Sequence, residues 1–151
     1  MRKVRQTSLI DGPSEDPGDC LRSAWASVLE CRAEDLPKWT SGQPWKIYWR
    51  NFQLFLLLKG YKIKRSRTAR PLPFKTPFDS FTAVGSSPRT NAAKHVVVYD
   101  WNGFAWDPYP GANGLVGEPH LYEWLVEKDP DFDSTLLHKN AGTGIFYGRV
   151  M

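Results

Sequence analysis

The chain is predicted to fold as an α+β domain. Apolar residues recur at helical spacing in two segments before residue 60 and alternate at strand spacing in several segments after it. Helices first and strands afterwards favour an antiparallel sheet faced by helices over an alternating parallel arrangement. The 151 residues, 41% hydrophobic and 14% aromatic, suffice for one core, so residues 1–151 are read as a single domain.

Residues 1–19 read as an extended arm and loop broken by Gly12, Pro13, Pro17 and Gly18. Asp19 is a suitable N-cap, and Leu21, Ala24, Trp25, Val28 and Leu29 then form one helical stripe ending near Cys31. A short turn is expected around AEDLP. Ser41 and Pro44 mark the start of a second helix, because proline is tolerated in a first turn. Its wide face of Trp45, Tyr48, Trp49, Phe52, Phe55 and Leu56 suits a core, and Gly60 is the expected stop.

From Tyr61 the period changes to two. YKIKRS reads as an edge strand with its cations outward, and RPLPFKTP carries too many prolines for a central strand. FDSFTAV, HVVVYD, GFAWD and GIFYGRV are further strand candidates, and EPHLYEWLVEK is expected to be a short helix before the last of them.

The net charge of +4 is a mild basic excess. The run Lys62, Lys64, Arg65, Arg67 and Arg70 is explained by a solvated edge more simply than by a phosphate-binding surface, so no nucleic-acid partner is expected. No apolar stretch reaches the roughly eighteen residues of a membrane span, and MRKVRQTSLIDG lacks the apolar run of a signal peptide. The chain is therefore expected in a cytoplasm. On one continuous helix Cys20 and Cys31 would lie about 16 Å apart, too far for a disulfide, so both are expected as free thiols. Cys20, Cys31, His95, His120 and His138 lack metal-ligand spacing, and no loop resembles a phosphate cradle; neither metal nor cofactor is expected.

Three residues carry the chemistry. Cys20 stands where a Gly/Pro/Asp-rich loop enters a helix, so the positive end of the helix dipole would favour its thiolate. His95 and Asp107 flank a hairpin through Trp101-Asn102-Gly103. A two-residue Asn-Gly turn would set Val98 opposite Asp107 and turn His95 to the other face. A three-residue loop with a bulge at the glycine would set Val97 opposite Asp107 and place His95 on its face, about 7 Å away. The second geometry is the one expected. Asp107 would then fix the imidazole tautomer while the other ring nitrogen faces Cys20.

DC at a helix head, HVVVYD, and DP after the next strand resemble the papain-like peptidase domains that trim double-glycine leaders in bacterial exporters. SPRTNAAKHVVVYDWNGFAWDPYPGANGL is closer still to small phage- and prophage-encoded papain-like proteins, and the resemblance spans about Gln6 to Leu115. It implies a papain-like fold and a cysteine peptidase or amidase acting on a peptide or protein. Cys20 would be the nucleophile, His95 the general base and acid, and Asp107 the orienting group, in a host cytoplasm if phage-encoded. Two features depart from the pattern. Leu21 follows the cysteine where exporter peptidases have glycine, and the upstream glutamine that would help form an oxyanion hole is Gln6, fourteen residues away. Two other functions fit the same residues: an acyltransferase or transglutaminase-like enzyme, and a non-catalytic phage accessory protein on this scaffold.

Overall fold

A computed structural model describes residues 1–5, 20–40, 42–67, 76–88, 94–110 and 114–128. Gln6, Asp19, Ser41, His138, most of RPLPFKTP and the expected strand GIFYGRV lie outside the described residues.

Helix α1 spans Cys20–Leu29 and buries Leu21, Ala24, Trp25 and Val28. It ends in a Schellman motif: Glu30 takes φ 58°, the Cys31 amide donates to the Ala26 carbonyl at 3.0 Å, and the Glu30 amide to Ser27 at 3.4 Å. A 3₁₀ turn at Ala33–Asp35 follows, within the AEDLP segment. Helix α2 spans Trp45–Leu58, with Pro44 at its N-cap and Gly60 beyond its end at φ 97°. Its Tyr48, Trp49, Phe52, Leu56 and Leu57 are buried, so the aromatic stripe belongs to the core.

Five strands follow: β1 (Tyr61–Ser66), β2 (Phe81–Ser86), β3 (Lys94–Asp100), β4 (Gly103–Trp106) and β5 (Val116–Glu127). They form an antiparallel sheet in the order β1-β5-β2-β3-β4, so the cationic β1 is an edge as expected. The α+β class and the antiparallel sheet agree with the sequence reading.

One segment does not. EPHLYEWLVEK is no helix but most of β5, which lies between β1 and β2. Leu121, Trp124 and Leu125 satisfy a helical stripe, yet the same residues alternate as a strand buried on both faces. Leu121 and Leu125 join one core cluster, and Tyr122 and Trp124 join the other. Without this strand the paired edges of β1 and β2 would have no partner.

Both helices cover one face of the sheet. Trp25 and Val28 of α1 and Phe52 and Leu56 of α2 cluster with Val84, Val96, Val98, Leu121 and Leu125. The other face carries Phe81, Ala83, Val97, Tyr122 and Trp124, with Tyr99, Leu115 and Val126 packed against them. Buried Glu123 points under α2, where Arg65 meets it at 3.3 Å and lies 5.9 Å from the Trp49 ring centre. Among the described residues no helix is long and apolar enough to cross a membrane.

Candidate active site

The β3–β4 hairpin positions the central pair by a route different from the expected one. Asp100 pairs with Gly103 and Tyr99 with Phe104, so the loop is Trp101-Asn102 and not three residues. The Asp100 carboxylate accepts the Asn102 amide at 2.8 Å, which closes the tighter turn. The register then shifts: Val98 pairs with Trp106, leaving Ala105 as the extra residue of a bulge. Continued by one residue, that register sets Asp107 opposite Val97. The expected face-sharing of His95 and Asp107 is reached, with the bulge at Ala105 instead of at the glycine.

His95 Nε2 and Asp107 Oδ1 are 2.6 Å apart, and both side chains are fully buried. Asp107 Oδ1 also accepts the Tyr109 amide at 2.9 Å, and Oδ2 accepts the Gly114 amide at 2.7 Å. Burial pushes this carboxyl up, but the His95 bond and charge and the two amides outweigh it and hold Asp107 below the ordinary carboxylate range. An ionised Asp107 requires the proton on Nε2, which makes Nε2 the donor and leaves Nδ1 as the nitrogen turned away from the carboxylate. That Nδ1 is buried and has no hydrogen-bond partner.

Three supporting residues escaped the sequence reading. Arg5 Nη1 donates to the carbonyls of Asp107 and Tyr109, both at 3.1 Å, and its guanidinium stacks 3.9 Å from the Trp106 ring centre. Trp106 Nε1 donates to the Val4 carbonyl at 3.3 Å, and the Val4 amide donates to Ser27 Oγ at 3.0 Å. The N-terminal segment thus ties α1 to the turn that carries Asp107. Gly114, at φ 71°, presents its amide to the carboxylate from a conformation that disfavours side chains. Only the glycine carried a local signal; Arg5 lies about a hundred residues from its partners.

Cys20 is the first residue of α1, as expected. Met1 meets Glu30, just past the end of α1, and Asp79, just before β2, while Arg5 meets Asp107. Helix α1 therefore points its first turn toward the end of the sheet where β3 begins, the end that carries His95. The sulfur itself is fully buried in the cluster that includes Val84, Val96 and Val98. Strand alternation groups His95 instead with Val97 and Tyr99, whose neighbours are Phe81, Ala83 and Tyr122. The structure brings His95 and Asp107 together and forms no hydrogen bond between His95 Nδ1 and Cys20. Neither cysteine forms a disulfide, and Cys31 is half-buried with its thiol pKa pushed up by burial and by Asp35.

The described residues gather no group of three or more His, Cys, Asp or Glu side chains placed to hold a metal ion. Comparison with family models, with curated proteins and with solved structures finds no match.

Proposed function

We propose that the chain is a cysteine hydrolase that cleaves a peptide, isopeptide or related amide bond. One observation carries this reading: the fully buried His95 Nε2 lies 2.6 Å from a carboxylate held below its ordinary range, and its Nδ1 meets no hydrogen-bond partner among the described residues. An orienting acid behind a base with one unoccupied nitrogen is the equipment of acyl transfer. Cys20, at a helix start toward the same end of the sheet, supplies the nucleophile.

In this reaction Nδ1 takes the Sγ proton and the thiolate attacks the acyl carbon. The C–N bond breaks as Nδ1 returns the proton to the leaving amine. Nδ1 then takes a proton from water, whose oxygen attacks the thioester; the C–S bond breaks as Nδ1 returns that proton to the sulfur, freeing the acid and the thiol. Catalytic contacts that are long in a free enzyme tighten in the substrate complex, and this reading requires the His95 ring to close on Sγ at that step. An amine in place of water would make the same groups a transferase.

A specific observation favours a second reading, a non-catalytic interaction protein on this scaffold. Cys20 is fully buried, and the β3 members of its core cluster, Val96 and Val98, alternate with His95. Alkylation with iodoacetamide between pH 5 and 8, with the adduct located by mass spectrometry, separates the two. The hydrolase reading expects Cys20 to react faster than Cys31 below pH 7, and His95→Ala to slow Cys20 at least tenfold. Reaction of Cys20 only above pH 8, or a rate indifferent to His95→Ala, leaves the interaction protein.

A further inference from the structure

At the far end of α1 from Cys20, a cavity of about 550 Å³ opens between the ends of both helices, the start of β1 and the segment before β2. Its walls are Leu29, Leu36, Phe55, Tyr61 and Phe78. The size and apolar lining suit a small organic molecule. Two charged side chains also line it. Asp35 is already engaged: Arg32 Nη2 meets Oδ1 at 3.0 Å, and the Arg32 amide donates to Oδ2 at 3.2 Å. Lys59 is not. Its ammonium lies 5.5 Å from the Phe55 ring centre and meets no carboxylate among the described residues. At Cys31 on the cavity wall the charge of Asp35 is opposed by those of Arg2 and Lys59. The cavity thus combines apolar walls with a lysine that meets no carboxylate among the described residues.

We infer that this cavity binds an amphipathic carboxylate, with the hydrocarbon between Phe55, Phe78 and Leu36 and the carboxylate at Lys59. An apolar cation of the same length is disfavoured, because the one carboxylate at the wall is held by Arg32. The site uses none of the residues of the proposed hydrolase and stands apart from that reading.

Cys31 lines the same cavity and reports on its occupancy. With octanoate as the probe, below its micelle concentration, alkylation of Cys31 by iodoacetamide at pH 8.5 is expected to slow at least fivefold. Octylamine at equal concentration is expected to leave the rate within twofold. Lys59→Gln alters the baseline reactivity, so its readout is the ratio of rates with and without octanoate, expected to fall below two. The inference is overturned if octanoate gives no protection, if octylamine protects equally, or if Lys59→Gln keeps the full protection.

Discussion

His95 and Asp107 are brought to 2.6 Å by a bulge, not by the turn between them. The Asp100–Gly103 closure, extended without interruption, would set Asp107 opposite Val96 and on the helix-covered face. Ala105 absorbs one residue and returns the carboxylate to the face of His95.

Deleting Ala105 should therefore preserve the pair, since Trp106 stays opposite Val98, at a cost under about 1 kcal/mol. Inserting one alanine between Trp106 and Asp107 should move the carboxylate to the other face and orphan His95. Urea unfolding of both variants checks this: the insertion is expected to lose roughly 3 kcal/mol and the deletion to lie close to the parent.

Asp107→Ala leaves the buried His95 Nε2 and the amides of Tyr109 and Gly114 without their acceptor. The expected loss is about 3 kcal/mol, seen as a melting temperature lower by roughly 10 °C. A shift under 2 °C would show that the pair contributes little to the fold.

The depressed pKa of Asp107 gives its acid dependence a sign. In the unfolded chain the carboxyl takes up a proton near its ordinary value, about 3.9, and in the fold only below it. The stabilisation is present above that value and is lost as pH falls through the folded one. Thermal melts from pH 6 to 2 should fall more steeply for the parent than for Asp107→Asn, with the two curves converging at the acid end.

Arg65→Ala removes the guanidinium that meets the fully buried Glu123 carboxylate, at a cost of about 3 kcal/mol. Adding Glu123→Gln should recover part of that loss, because a neutral amide is cheaper to bury than a carboxylate that has lost its guanidinium. A double-mutant cycle by urea unfolding measures the coupling, and a value below 0.5 kcal/mol would contradict it.

Arg5→Ala removes two bonds to the turn that carries Asp107 and the stacking on Trp106. Global stability should fall by only about 1 kcal/mol, since Arg5 is exposed. The Tyr109 amide should exchange with solvent at least fivefold faster, because it bonds the carboxylate that the clamp helps to hold.

Much of this architecture was legible in the residues. The two helices and the edge position of β1 follow from local spacing; the shared face of His95 and Asp107 was expected from a three-residue loop and is reached instead through the bulge at Ala105. The segment from Glu118 to Lys128 was not legible, because Leu121, Trp124 and Leu125 satisfy both periods and only the paired edges of β1 and β2 decide between them.

The relation of Cys20 to His95 was also beyond local reading. Val96, Val97 and Val98 are all fully buried, so composition does not say which face of β3 receives α1. Short-range periodicity set the two helices and the first four strands, where each neighbour is a few residues away. Which side of the sheet the helices cover, and hence how a sulfur at residue 20 stands to an imidazole at residue 95, was settled by long-range packing of both hydrophobic faces at once.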